Sequence, residues 1–153
     1  MTALALDGPD ALRGAVGADL GPTDWLEITQ ERVDAFAEAT GDHQWIHTDP
    51  ERAARESPFG GPIAHGHLTL SLVPFFLPQL ATVTGFSMGV NYGSNKVRFP
   101  APVPVGSRIR ATGRIAQVDD VPGGVQSVTV VTIHVEGSDK PACVAEVISR
   151  YVA

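Results

Sequence analysis

The stretch from Leu68 to Leu80 constrains the fold more than any other part of the chain. Eight large apolar residues are spread over every face of a helix there, so that helix must be buried on most sides. They are Leu68, Leu70, Leu72, Val73, Phe75, Phe76, Leu77 and Leu80. With 13 residues and two prolines the stretch is too short to cross a bilayer. Pro74 and Pro78 are expected to kink or end the helix.

The chain after Gly85 supplies the cover that such a helix needs, because it has the pattern of β-strands. The predicted strands cover residues 86–92, 95–99, 107–118, 125–135 and 142–152. Turn sequences at 122–124 and 137–140 join the last three into an antiparallel meander. The sequence therefore predicts an α+β class, with a long central helix wrapped by a curved antiparallel sheet. Such a sheet leaves an edge uncovered, so we expect a homodimer.

Length and charge exclude several kinds of function. At 153 residues the chain is expected to form a single domain over 1–153, with residues 1–21 as an N-terminal arm of little pattern. The 11 basic and 17 acidic residues give a net charge of −6, and no basic run occurs, which argues against nucleic-acid and membrane partners. The lone Cys143 and an arm whose only basic residue is Arg13 favour a cytoplasmic protein.

The first half of the chain predicts two helices around a short connection. A strand over 25–28 precedes Thr29, which has the character of an N-cap for a helix over 30–40 that ends at Gly41. Asp49 and Pro50 begin a second helix. The two helices bracket residues 43–48 as a loop, so that Asp42 and His47 are held in a fixed relation.

The segment from Asp42 to His67 holds most of the titratable groups that could do chemistry. It includes four of the five histidines, which are His43, His47, His65 and His67. An irregular turn over 57–62 separates the first pair from the Ile63-Ala64-His65-Gly66 run that opens the apolar helix.

These motifs together resemble the MaoC-like, or (R)-specific enoyl-CoA hydratase, family. The resemblance is carried by Gly41-Asp42, His47, Asp49-Pro50 and the 63–66 run, and the 91–100 run resembles the nodulation-protein-N-like branch, close to mycobacterial (3R)-hydroxyacyl-thioester dehydratases. It implies a hot-dog fold, and reversible syn addition of water to trans-2-enoyl thioesters of coenzyme A or acyl-carrier protein. Asp42 and His47 would be the catalytic pair, with the amide of Gly66 in the oxyanion hole.

Elementary chemistry agrees with those roles. Hydration needs a base for the water, an acid for C2 and a donor to the thioester oxygen, and no cofactor or metal is required. Whether Asp42 or His47 takes each proton stays open. Asn95, Lys96 and Arg98 are candidates for binding a carrier phosphate, with ordinary surface charge as the alternative.

The chain also departs from the family pattern near the pair. Gln44-Trp45 stands where the family commonly has Asn-Pro, so Gln44 is expected to support the pair with a longer amide. A serine that contacts the aspartate in some hydratases falls on Pro74 here, and Ser71 is a possible substitute. His65 is expected to orient the loop.

Three other interpretations compete with this one. A hot-dog thioesterase would use the same fold, and an acyl-thioester-binding accessory subunit would have a decayed site. A metal site could use the pairs His43/His47 and His65/His67, although Gly41 ends the helix before His43 and takes that pair off a helical face.

Overall fold

A computed structural model describes residues 2–153 of the chain. Its elements are, in chain order, β1 (Leu4–Asp7), α1 (Gly8–Gly14), β2 (Asp19–Leu20), β3 (Leu26–Glu27), α2 (Gln30–Thr40), α3 (Trp45–Thr48), α4 (Pro50–Glu56), α5 (Gly66–Ser71), α6 (Val73–Leu80), β4 (Ala81–Thr84), β5 (Met88–Arg98), β6 (Arg108–Val121), β7 (Gly124–Val135) and β8 (Cys143–Val152). No helix within 2–153 is long and apolar enough to span a membrane.

The main sheet has six strands, and it confirms the predicted meander. Its order is β2-β6-β7-β8-β5, with β3 also paired to β6, and all of these pairs are antiparallel. The alternation predicted for β6 is observed, because Ile109, Ala111 and Ile115 are buried whereas Arg108 and Arg114 are exposed. Strand β5 lies at an edge, so one row of its backbone groups lacks a strand partner among residues 2–153.

Helices α5 and α6 pack against this sheet and confirm the hot-dog arrangement. Phe76 and Leu80 of α6 are fully buried and share one core with Ile109 of β6 and Ile133 of β7. Cys143 is also fully buried at the start of β8, as its apolar neighbours predict.

The central helix is not continuous: the prediction of one long helix is corrected, whereas the predicted break at Pro74 is confirmed. The break falls at Leu72, whose N–H is shared between the carbonyls of Leu68 and Thr69 at 3.2 Å each. The cause lies two residues further on, because Pro74 has no N–H to donate to the preceding turn. Pro78, in contrast, lies inside α6 without ending it.

Two further predictions need correction. The region predicted as two strands, 86–92 and 95–99, is the single strand β5, which pairs with β8 along its length. Register shifts at 91–93 and 94–97 absorb the residues that interrupt its pattern. The predicted loop 43–48 contains the one-turn helix α3, because the carbonyl of Gln44 accepts from the N–H groups of His47 and Thr48.

The N-terminal arm, whose structure the sequence leaves unassigned, is packed into the domain. Strand β1 forms a small parallel sheet with β4, and α1 follows it directly. Leu6, Leu12 and Leu20 are buried in the same core as α6, so these residues stabilise the domain rather than extend from it. Met1 lies outside the described residues.

Candidate active site

The end of α2 places Asp42 at the mouth of a cavity. The hydroxyl of Thr29 accepts from the N–H of Arg32 at 3.1 Å and begins the helix as predicted. Gly41 ends it with φ of 81°, a left-handed conformation that favours glycine. The chain therefore turns at once, and Asp42 lies exposed just past the helix.

Helix α3 carries His47 and orients its ring. Asp49 caps the next helix by accepting from the N–H of Arg52 at 3.1 Å, and it is the single residue that connects α3 to α4. The His47 side chain is buried, and its Nδ1 lies 2.7 Å from the carbonyl oxygen of Ile63. Because a carbonyl only accepts, Nδ1 carries the hydrogen. In the neutral ring Nε2 then has a free lone pair.

The surroundings of His47 favour that neutral ring. Burial lowers its pKa below the ordinary value of 6.5, and the neighbouring His65 acts in the same direction. The Ile63 carbonyl and Asp42 act oppositely, and burial dominates. His47 is therefore neutral at neutral pH, the form that can accept a proton.

His65 joins the two predicted catalytic residues. Its ring is 3% exposed and stacks on His47, with centroids 3.9 Å apart and planes inclined by 26°. Its Nε2 lies 3.0 Å from the main-chain carbonyl oxygen of Asp42 and so donates to it. One nitrogen or oxygen from each of Asp42, His47 and His65 lies within 4.8 Å of the others.

The cluster opens into a cavity of about 540 Å³ that also includes the first turn of α5. Gly66 and His67 line it from that helix, and Phe36 and Thr40 line it from α2. The ring of Phe99 closes one side and lies so close that a Cβ added at Gly66 would meet three of its carbons at 3.3 Å. Gly66 therefore lies in a wall that has no room for a side chain without movement of that ring.

The departure at Gln44-Trp45 does not displace Asp42. The main-chain N–H of Gln44 donates to Asp42 Oδ1 at 3.3 Å, so the backbone rather than the longer side-chain amide supports the carboxylate. Trp45 begins α3, and the Cζ atom of the Arg52 guanidinium lies over its indole, 4.3 Å from the ring centroid. The indole thus joins α3 to α4.

Ser71, expected as a possible substitute contact for Asp42, is not among the residues that line the cavity around Asp42. Its hydroxyl donates to the carbonyl of His67 at 2.6 Å, within α5. It lines a second cavity, of about 570 Å³, between α5–α6 and strands β5 and β8. The predicted substrate-binding residues, Asn95, Lys96 and Arg98, are exposed on β5, which leads directly to Phe99.

The histidine pairs considered for a metal are not the ones that meet. His47 clusters with His65, whereas His43 lies 3.7 Å from Glu38 on the surface. Lone pairs of an imidazole lie in the ring plane, and the planes of these two rings are inclined by only 26° with their centroids 3.9 Å apart, so the lone pairs lie in two nearly parallel planes. The expectation of a metal-free site stays a prediction, which metal analysis of the purified protein tests.

Some residues of the site carry no recognisable sequence signal. Gln30 reaches His47 from the start of α2, 17 residues away, and nothing in its spacing indicates this. Phe36 and Thr40 have a partial signal, because they share a helical face with Ala37. That face is divided: Ala37 is in the core, whereas Phe36 and Thr40 line the cavity.

The chain belongs to the family of MaoC-like domains, whose model matches residues 12–137. The match covers helices α2 to α6 and strands β2 to β7. Among relatives, 3-hydroxyacyl-thioester dehydratase Z of Mycobacterium tuberculosis is 59% identical over 143 residues, covering 93% of this chain and 94% of that protein.

Two further comparisons agree with that assignment. Nodulation protein N of Rhizobium leguminosarum bv. viciae is 44% identical over 136 residues, covering 85% of this chain and 82% of that one. The solved structure of an (R)-hydratase from A. caviae involved in PHA biosynthesis superimposes with a TM-score of 0.72 at 24% identity, covering 88% and 94% of the two chains. The resemblance to the family and the hot-dog fold are thereby confirmed.

Proposed function

We propose that the chain is an (R)-specific hydratase and dehydratase that interconverts trans-2-enoyl and (3R)-3-hydroxyacyl thioesters. The observation that carries the proposal is the cluster of Asp42, His47 and His65 within 4.8 Å, at the cavity that Gly66 lines. The sequence relation to a 3-hydroxyacyl-thioester dehydratase supports the same reaction.

The spacing of Asp42 and His47 suits one shared water. A water that hydrogen-bonds to two groups at about 2.8 Å each can bridge atoms up to about 5.6 Å apart. One nitrogen or oxygen atom from each side chain of the cluster lies within 4.8 Å of the others, inside that reach. Asp42 accepts from the water and orients it towards C3 of the substrate.

His47 moves the protons. In hydration its Nε2 takes a proton from the water as the oxygen forms a bond to C3, and the ring becomes an imidazolium. Syn addition puts the new C2–H on the same face, so the same ring returns a proton to C2. Dehydration runs these steps in reverse. The hydrogen bond from Nδ1 to Ile63 keeps the ring in the required tautomer throughout.

Gly66 stabilises the charge that develops on the thioester oxygen. Its N–H is one of the first four of α5, and these have no acceptor within the helix. The absence of a side chain lets the thioester approach the amide closely, and the flat ring of Phe99 covers the other side of the residue. An amide so placed acts as the oxyanion donor.

The acyl chain lies in the second cavity. Ser71 lines this cavity and His67 lines the first one, and the Ser71 hydroxyl donates to the main-chain carbonyl of His67. The two cavities therefore lie one turn of α5 apart. Leu70, Val73 and Leu77 give it an apolar lining. Its volume of about 570 Å³ sets the length of chain that fits.

The carrier end of the substrate lies along β5. Asn95, Lys96 and Arg98 are exposed on that strand beside the cavity wall, and a pantetheine phosphate needs cations of this kind. Replacing Arg98 by Glu is expected to raise KM for an enoyl-CoA while leaving kcat nearly unchanged. An unchanged KM would identify Arg98 as ordinary surface charge.

The same strand forms a homodimer interface. Met88, Val90 and Tyr92 recur at every second position of β5 and are 57%, 43% and 57% exposed. An edge strand of 11 residues with exposed large apolar side chains is prone to pair with another strand. Pairing with β5 of a second copy satisfies the free backbone groups and buries these side chains.

One assay with two readouts tests the proposed reaction. Crotonyl-CoA is mixed with the purified chain, and loss of enoyl absorbance and release of free thiol are followed together. Loss of absorbance without thiol is expected, whereas thiol release would identify a thioesterase. Neither signal with CoA or carrier-protein substrates would indicate an accessory binding subunit.

Two substitutions assign the roles. Asp42→Asn and His47→Gln are each expected to lower kcat at least about a hundredfold, since both remove a group that handles the water. Near-normal turnover in either variant would refute that residue's assignment. His43→Gln, on the same connection but facing Glu38, serves as the matched control.

A further inference from the structure

We infer that Gln30 is a positioning residue for His47, and this inference rests on the proposed function. Gln30 is the first residue of α2 and is partly buried. Its Nε2 donates to the main-chain carbonyl of His47 at 2.7 Å, the shortest of the hydrogen bonds that tie α2 to the catalytic turn. Gln30 does not line the cavity, so it acts through the histidine.

The bond answers a need created by α3. In a helix of four residues almost no carbonyl has an N–H donor within the helix, and the carbonyl of His47 is partly buried. The side-chain amide of Gln30 takes the place of the next turn. It thereby fixes the backbone of His47, while the bond from Nδ1 to Ile63 fixes the ring. Because both the backbone and the ring of His47 are held, the lone pair of Nε2 points in one fixed direction.

The orientation of the Gln30 amide is itself set. Its Nε2 also donates to Asp34 Oδ1 at 2.9 Å, one turn further along α2. The NH₂ group is thus shared between a carboxylate and a carbonyl, and the reversed amide would set an oxygen against both. In this orientation Oε1 is buried and has no partner among residues 2–153. The side chain tolerates that unpaired oxygen because both donors are used.

The expected effect of losing this amide is on turnover rather than binding. Gln30 touches neither cavity, so KM is expected to stay nearly unchanged. A displacement of a catalytic group by about 1 Å can cost about a hundredfold in rate. Gln30→Leu is therefore expected to lower kcat about ten- to a hundredfold. Gln30→Asn, polar but too short to reach His47, is expected to behave alike and serves if the leucine variant does not fold.

Gln79→Leu is the matched control. Gln79 also donates its side-chain amide to a main-chain carbonyl, that of Phe75 at 3.2 Å, but on α6 and away from the cluster. Both variants remove one such bond from a helix. Rates are normalised to the folded fraction measured by circular dichroism, so that a loss of stability alone does not count.

A double-mutant cycle with His47→Gln decides whether Gln30 acts through His47. If it does, Gln30→Leu lowers kcat for crotonyl-CoA in the wild-type background and has no further effect when His47 is already replaced. Equal factors in both backgrounds, or a loss no larger than that of Gln79→Leu, would overturn the assignment of Gln30 alone. Near-normal turnover of His47→Gln itself would overturn the proposed function and this inference together.

Discussion

Replacing His65 by Phe is expected to produce a protein that is at least as stable but less active. The imidazole is 3% exposed; it stacks on His47 and contacts the tilted ring of Phe36 at a centroid distance of 4.9 Å. Its Nε2 donates to the Asp42 carbonyl, whereas Nδ1 is buried and has no partner among the described residues. A phenyl ring keeps the stacking and removes both nitrogens.

The two changes have opposite signs in stability. Losing the bond to Asp42 costs about 0.5–1.5 kcal/mol, and removing a buried unpaired polar atom returns about 1–3 kcal/mol. Asp42 is exposed, so water can satisfy its carbonyl in the variant. The free energy of unfolding is therefore expected to rise by about 1 kcal/mol. With a urea slope of about 2 kcal/mol per molar, the midpoint rises by about 0.5 M.

Turnover changes in the other direction. Without the tie from His65, the backbone at Asp42 is held only by its neighbours, and kcat is expected to fall about tenfold or more. Urea denaturation and the crotonyl-CoA assay are run on the same preparation. His43→Phe is the control, because that ring is on the same turn but is 55% exposed and outside the cavity. A loss of more than about 2 kcal/mol, or unchanged turnover, would refute this account of His65.

Three further predictions follow from other parts of the structure. Gly66→Ala is expected to keep the fold, because Phe99 is 42% exposed and its ring can yield, but to lower kcat/KM about tenfold by crowding the proposed oxyanion amide; unchanged kcat/KM would place the substrate elsewhere. Burial lowers the pKa values of both His47 and His134. At pH values between these lowered pKa values and the ordinary 6.5, the two histidines take up protons when the chain unfolds. The urea midpoint should therefore be constant above pH 6.5 and fall below it, and the fall should be smaller in His134→Gln. Val90→Lys is expected to give a monomer in analytical ultracentrifugation, because it sets a charge on the edge strand, and a persistent dimer would exclude β5 as the interface.

The sequence predicts the fold well where patterns are local or repeated. The helix over 30–40 has a capping threonine at one end and Gly41 at the other, and its observed bounds agree. The strands β6, β7 and β8 are long and alternate in burial, and their predicted and observed bounds agree to within a few residues. Pro74 predicts a break in the apolar helix, but its position at Leu72 could not be placed, because it depends on how the proline is accommodated two residues later.

The candidate site also contains residues that the sequence predicts and residues that it does not. Asp42, His47 and Gly66 follow from a motif whose spacing is visible in the sequence. The roles of Gln44 and His65 depend on bonds to main-chain atoms, which any residue possesses, so spacing carries no trace of them. Gln30 is the extreme case, since its partner is a carbonyl 17 residues away.

Strand β5 runs from the proposed interface directly to the wall of the cavity, because Arg98 ends the strand and Phe99 follows it. Whatever orders the strand therefore also orders the ring that covers Gly66. If two copies must meet to order it, the enzyme's specific activity depends on its own concentration by mass action. Dilution then lowers the specific activity, and the amount of chain that a cell makes sets part of that activity.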